Sequence, residues 1–107
     1  MPLLETPAFC ERRMSFLLNT WVSVEGTHED RRTARGALDA GFQEIKRLEK
    51  ILSRFLPDSV ISVVNRDAGK KPVFVGEEVF SVLEKSFCVA QKSKGAFDIT
   101  AAPLVDL

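Results

Sequence analysis

Apolar and polar positions alternate along residues 14–25, the first strongly patterned stretch of the chain. Asn19, Ser23 and Glu25 make one side of this stretch more polar than the other. A period of two predicts a half-buried strand, which Gly26 is expected to end. The apolar face of the predicted strand comprises Phe16, Leu18, Thr20, Val22 and Val24.

The period changes to three and four residues over 27–55, which predicts one long amphipathic helix. Thr27 is expected to cap it, with Glu29 and Asp30 in the first turn, where carboxylates complement the helix dipole. Pro57 is expected to stop the helix, because proline disfavours helical geometry in the residue before it. The apolar stripe comprises Ala34, Leu38, Phe42, Ile45, Leu48, Leu52 and Phe55.

Shorter elements are predicted in the second half. Asp58 or Ser59 can cap a short helical turn, and residues 72–75 (PVFV) have the composition of a strand. A second amphipathic helix is predicted over 77–92, with Gly95 just past its end, where glycine accepts a left-handed conformation. Its expected inward residues are Val79, Phe80, Leu83, Phe87 and Ala90.

This order of elements predicts an α+β fold with a small mixed sheet packed against two amphipathic helices. We expect an N-terminal segment at 1–13 and one partial domain at 14–107. Such a sheet keeps an unpaired edge and an apolar face, which favour self-association, so a homo-oligomer is an expected state.

Composition restricts the partners. The 107 residues include 15 basic and 15 acidic side chains, so the charge balance argues against nucleic-acid binding. Cys10 and Cys88 share no metal or redox spacing and are expected to be free thiols. No apolar run is long enough to span a bilayer, and the first ten residues do not have a signal-peptide pattern. A cytoplasmic location is therefore expected for the sequence as encoded.

The stretch most suggestive of a binding site is GAFDITAAPL, residues 95–104. A glycine turn lets backbone approach a flat ligand, Phe97 can cover a ring, and Asp98 can accept hydrogen bonds. The alternative is structural: Phe97 fills the core and Asp98 caps the following segment. Thr100 has no adjacent base to activate it, and a lone His28 makes no metal site, so both are expected to be structural.

Other polar and aromatic side chains give weaker signals. Glu44 and Glu49 follow the polar face of the first helix and are expected to be solvated, paired with lysines. Trp21 is expected to pack in the fold, with ligand stacking as the less favoured alternative. From residue chemistry alone, no catalytic residues are predicted.

Three segments in order resemble the FAD:protein FMN transferase (ApbE) family. FLLNTWVSVEG is similar to the family's strand containing Met-Gly-Thr, and EIKRLEKILSRFLPDSVISVVN is similar to its helix followed by a Ser, aromatic and Asn pattern. KGAFDITAAPLVDL is close to its Gly-Ala-Phe-Asp-x-Thr-x-x-Pro-Leu signature. Together they run from Phe16 to Leu107.

The resemblance implies an enzyme that uses FAD and Mg²⁺ and attaches FMN to a threonine hydroxyl of a target protein. It also implies an incomplete half of the family's T-fold-like domain. By position, the residues implied to bind the flavin nucleotide are Leu18, Phe55, Ala96, Phe97 and Asp98. Family members are often exported.

Departures from the family pattern qualify these expectations. Leu18 replaces a methionine, Asn19 replaces a glycine, and Phe55 lacks the hydroxyl of the family's tyrosine. The family's Mg²⁺ ligands lie in a later part that this sequence does not contain, so the chain alone is expected to be inactive. Three interpretations stay open. The chain is a truncated or split transferase whose activity needs the missing half, for example on a companion chain; or a non-catalytic module that binds flavin or protein; or a truncated gene product without a present function.

Overall fold

The computed structural model describes residues 8–105. The segment 1–7, which holds most of the stretch tested for a signal peptide, lies outside the described residues, as do the last two residues of the predicted signature. The elements in chain order are β1 (Phe9–Leu17), β2 (Thr20–His28), α1 (Arg31–Leu52), α2 (Val60–Asp67), α3 (Gly76–Lys92) and α4 (Ala102–Val105). Two compact units are formed, one ending at Ser62 and the other beginning at Val63.

β1 and β2 form an antiparallel hairpin whose turn is Leu18–Asn19. Leu17 pairs with Thr20, and the two turn residues have φ angles of 55° and 57°, as in a type I′ turn. The predicted single strand over 14–25 is therefore wrong, because the chain reverses in its middle. β2 also continues past Gly26 to His28.

α1 packs on one face of the hairpin and forms the core of the first unit with it. Gly26 and Gly41 lie where the hairpin and the helix meet. A Cβ at Gly26 would make an ordinary van der Waals contact with Leu38 Cδ2 at 3.5 Å, and one at Gly41 would do so with Val24 Cγ1 at 3.8 Å. The buried apolar side chains of this unit are Leu17, Ala34, Leu38 and Phe42. Burial of each large side chain among them contributes about 1.5–3 kcal/mol to the stability of the fold.

The observed helix is shorter at both ends than the predicted 27–55. Asp30 is its N-cap and accepts a hydrogen bond from the Thr33 backbone N–H at 3.1 Å. Thr27 cannot cap because β2 still includes it. At the other end Ser53 is extended, so the helix stops well before Pro57. The last predicted stripe residue, Phe55, lies beyond the helix and is exposed.

In the second unit α3 confirms the predicted helix over 77–92, beginning one residue earlier at Gly76. Val79 is 1% exposed, as predicted for the inward face. Phe80 and Phe87 were predicted inward as well, and this is wrong, because both are exposed. The apolar residues of α3 cover a wider arc than its buried face.

The predicted strand at 72–75 does not form. Residues 71–75 adopt no regular secondary structure, and Phe74 is 95% exposed. A strand needs a neighbour to bond its backbone, and the sheet of the described residues consists of β1 and β2 alone. The α+β class is confirmed. The sheet over residues 8–105 is an antiparallel pair and not the expected mixed sheet.

Two smaller expectations concern thiols and membranes. Cys10 and Cys88 are free and exposed, as predicted. Along residues 8–105, no helix combines the length and the apolar character needed to cross a membrane.

Candidate functional site

Leu18 occupies the first turn position at the tip of the β1–β2 hairpin. Its φ of 55° is unusual for a residue with a Cβ, and the left-handed region costs such a residue about 1–2 kcal/mol. Asn19, at 57°, tolerates that region better, as expected for asparagine. The turn presents an apolar side chain, 48% exposed, at the end of the hairpin.

Glu49 on α1 fixes this turn, a role that the sequence did not reveal. Its carboxylate accepts a hydrogen bond from the Leu18 backbone N–H, and the residue is half-buried. The expectation of a solvated, lysine-paired Glu49 is therefore wrong. Glu44 is exposed, but it pairs with Arg47 through two hydrogen bonds instead of with a lysine.

Phe55 lies in the loop between α1 and α2, with 59% of its surface exposed. The Arg54 guanidinium carbon stands 4.3 Å from the centre of its ring, a cation–π arrangement. Leu18 and Phe55 both belong to the first unit. Both side chains are exposed and apolar, and residue 55 has no hydroxyl.

Ala96, Phe97 and Asp98 follow α3 in the second unit. The helix ends in a Schellman-type arrangement: the Lys94 N–H bonds the Gln91 carbonyl at 3.1 Å, and the Gly95 N–H bonds the Ala90 carbonyl at 2.9 Å. Lys94 and Gly95 both have positive φ, 53° and 84°. Gly95 thus has the predicted left-handed conformation, and a lysine shares it.

The two side chains after the turn are both at the surface. Phe97 is 43% exposed, so it does not fill a core. Its backbone N–H donates a hydrogen bond to the Ser93 hydroxyl at 3.0 Å. Asp98 is exposed and its Oδ1 accepts from both the N–H and the hydroxyl of Thr100, at 2.8 and 2.6 Å. The structural alternative for Asp98 as a local cap is therefore observed.

Hydrogen bonds from Thr100 stabilise the anionic form of this carboxyl. The Thr100 hydroxyl first, and then the Thr100 backbone N–H, hold the pKa of Asp98 below its ordinary value. The group is therefore an anion at neutral pH. An exposed carboxylate of this kind can accept hydrogen bonds from the hydroxyl or amino groups of a ligand.

The remaining singled-out residues have structural surroundings. His28 is exposed at the end of β2, and its Nδ1 accepts a hydrogen bond from the Asp30 N–H at 2.9 Å. Trp21 meets Phe16 edge-on across the hairpin, with ring centres 5.5 Å apart. It is nevertheless 67% exposed, so its packing is one-sided.

Neither of two surface depressions contains the predicted nucleotide-binding residues. Among the described residues, one depression is lined by 73–77 and Phe80, and the other by 13–15 with residues of α1. The two parts of the predicted site are thus surface positions, Leu18 and Phe55 in the first unit and 96–98 in the second.

The described residues do not fit a magnesium ion. Over 8–105, no three His, Cys, Asp or Glu side chains come together in a group that could hold a metal. Mg²⁺ requires near-octahedral oxygen ligation. The described residues therefore do not supply a magnesium site of their own.

Comparison with known proteins confirms the family that the sequence resembles. The ApbE family model matches residues 18–107, and the chain belongs to the ApbE family. It is 34% identical over 71 residues to the FAD:protein FMN transferase of Treponema pallidum (strain Nichols), covering 66% of this chain and 20% of that protein. It is 33% identical over 66 residues to the FAD:protein FMN transferase of Klebsiella pneumoniae (strain 342), covering 62% of this chain and 21% of the other. The chain thus spans about a fifth of each relative.

Proposed function

We propose that this chain is the FAD-contacting part of an FAD:protein FMN transferase. The carrying observation is the family match over 18–107, which includes every residue of the predicted nucleotide site. The names of the two relatives support FAD as the substrate. In this proposal Leu18 and Phe55 cover ring surface, 96–98 approach the nucleotide, and Asp98 accepts hydrogen bonds from it.

The reaction proposed for the complete enzyme is a phosphoryl transfer. The threonine hydroxyl oxygen of a target protein forms a bond to the phosphorus of the FMN half of FAD. The anhydride bond to the other phosphorus breaks, AMP leaves, and the hydroxyl proton is released. Mg²⁺ would neutralise the phosphate oxygens during this step. The described residues offer the exposed apolar side chains and carboxylate for binding FAD, not the groups for breaking the anhydride.

We therefore propose that the Mg²⁺ ligands belong to a further part of the family's T-fold-like domain, outside the described residues. The hairpin supports this division, because a two-stranded sheet leaves backbone groups unpaired along its edges. Met14, Phe16 and Trp21 are exposed on the hairpin and would be available to such a contact. Self-association through the same surface is the competing outcome. Sizing chromatography of the chain alone distinguishes a homo-oligomer from a monomer.

The test is flavinylation. The 107-residue chain is mixed with FAD, Mg²⁺ and a threonine-containing acceptor, with and without a polypeptide that supplies the remaining part of the family domain. The proposal predicts covalently bound FMN, detected by mass spectrometry, when both pieces are present. FMN loading by the chain alone would disprove the division into two pieces. The absence of product with both pieces would disprove the transferase assignment.

A non-catalytic module is the second candidate function. The exposed aromatic side chains that favour it are Phe16, Trp21, Phe74, Phe80 and Phe87. Exposed aromatic side chains can contact a ligand or a protein, and a contiguous patch of them would mark such a site. FAD binding by the chain without any flavinylation, even with the second piece present, would favour this alternative.

A further inference from the structure

Two serine hydroxyls hold the backbone on both sides of Phe55. The Ser59 hydroxyl lies 2.5 Å from the carbonyl oxygen of Ser53, and the Ser62 hydroxyl lies 2.6 Å from that of Leu56. Each hydroxyl has one hydrogen to donate, and these are the shortest carbonyl contacts of each. Ser59 therefore fixes the carbonyl two residues before Phe55, and Ser62 fixes that of the residue after it.

The same serines connect this loop to the start of α2. Ser59 is 1% exposed, and its oxygen accepts a hydrogen bond from the Ser62 backbone N–H at 3.0 Å, as an N-cap does. Its hydroxyl thus caps α2 and donates to the loop at once. The loop backbone closes on itself as well, because the Leu56 N–H bonds the Ser53 carbonyl at 3.3 Å.

This arrangement combines a fixed backbone with an exposed aromatic ring. Phe55 is 59% exposed, so burial cannot be what orders it. An aromatic ring on a mobile loop would lose conformational entropy on stacking against a ligand, which weakens binding. A ring whose backbone is already held loses less.

We propose that Ser59 and Ser62 are positioning residues that hold Phe55 ready to stack on the flavin nucleotide. The proposal rests on the function proposed above, in which Phe55 contacts FAD. Neither serine touches the nucleotide in this account. Both act through the backbone of residues 53–56.

A double-mutant cycle on the full chain tests the coupling. FAD affinity is measured by calorimetry for the native chain, Ser59→Ala, Phe55→Ala and the double variant. Ser59→Ala is expected to weaken FAD binding about tenfold when Phe55 is present and hardly at all when it is absent. Fully additive losses would overturn the inference. Ser62→Ala, at a less buried position, serves as a second variant and is expected to show the same dependence on Phe55.

Asp30→Ala is the matched control, because it removes the N-cap of α1 without touching the loop. Its FAD affinity is expected to equal that of the native chain. An equal loss in this control would show that the serines act through general stability, which contradicts a positioning role. If Phe55→Ala itself binds FAD normally, the proposed contact of Phe55 fails and this inference fails with it. If Phe55→Ala weakens FAD binding but the serine effects simply add to it, only the positioning role is contradicted, and the proposed contact of Phe55 with FAD stands.

A second readout needs no flavin. In a Trp21→Phe, Phe55→Trp chain, the single tryptophan reports on the loop through its fluorescence anisotropy. Ser59→Ala and Ser62→Ala are each expected to lower the anisotropy, and Ser62→Thr, which keeps the hydroxyl, is expected to preserve it. Unchanged anisotropy in both alanine variants would contradict the account.

Discussion

The backbone N–H of Leu18 donates a hydrogen bond to the carboxylate of Glu49, which joins the hairpin tip to α1. Glu49 lies within four residues of the helix end at Leu52, where the helix dipole disfavours a negative charge. The contact with the strained turn compensates for that position. The first part of the proposed nucleotide site is therefore held by a helix that does not itself belong to the site.

Replacing Glu49 by alanine should destabilise the fold. A hydrogen bond to a charged group contributes about 1.5–3 kcal/mol, and relief of the unfavourable dipole interaction returns about 0.3–1 kcal/mol. Glu49→Ala is thus expected to lower the free energy of unfolding by about 1–2 kcal/mol, measured by urea titration. Glu44→Ala, on the exposed side of the same helix, is the control and should leave the urea midpoint nearly unchanged. Equal effects in the two variants would contradict the tie between α1 and the turn.

A substitution in the turn should raise the stability of the fold. Leu18→Asn places a residue that tolerates positive φ where leucine is strained, and is expected to raise the free energy of unfolding by about 1 kcal/mol. Leu18→Val, a β-branched residue at the same angle, is expected to lower it. Thermal unfolding measures the stability of each variant relative to the native chain. Changes of the same sign would mean that the backbone at Leu18 does not have the described conformation. In the proposed function, Leu18→Asn also weakens FAD binding, because the apolar contact is lost.

The C-terminal end of α3 gives a matching prediction. Lys94 has a φ of 53°, so Lys94→Gly is expected to stabilise the chain by about 1 kcal/mol. Lys85→Gly, in the middle of α3, is the control and is expected to cost about 1 kcal/mol. Urea titration of both variants compares their free energies of unfolding. A destabilising Lys94→Gly would contradict the left-handed cap that precedes residues 96–98.

The pKa of Asp98 can be tested through Thr100. Because the folded chain lowers this pKa, the anion contributes stability above its unfolded pKa, and that stability is lost as the pH falls through the folded pKa. Thr100→Val removes the hydroxyl and keeps the backbone donor, so the pKa should rise part of the way towards its ordinary value. Carboxyl NMR below about pH 5 measures this. The pKa of Asp30, lowered by its own bonds to Thr33, is the internal control and should not move. An unmoved Asp98 would contradict the role of the hydroxyl.

Local patterns predicted the helices better than the strands. α3 was located to within one residue, because its apolar period and Gly95 both mark it. The hairpin was missed since Leu18–Asn19 lacks the Asn-Gly or Asp-Gly sequence typical of a type I′ turn, so the alternation continued through it. The segment 72–75 shows the opposite error: its composition suits a strand, but a strand forms only with a partner.

The candidate site shows the same limit. Gly95 and Asp98 are recognisable from the sequence because their neighbours in the chain determine their geometry. Glu49 is not, because its partner Leu18 is 31 residues away. The hydroxyls of Ser59 and Ser62 act on carbonyl groups of a loop whose path depends on where α1 ends. Contacts of this kind follow from tertiary packing, which no local pattern specifies.

The most direct test of the account is a calorimetric titration of the 107-residue chain with FAD alone. The expected result is binding in the micromolar range that Phe97→Ala and Asp98→Ala weaken, whereas Lys46→Ala, at an exposed position that is not part of the proposed site, leaves it unchanged. No heat of binding at millimolar FAD would contradict the claim that these residues form the FAD-contacting part of a transferase.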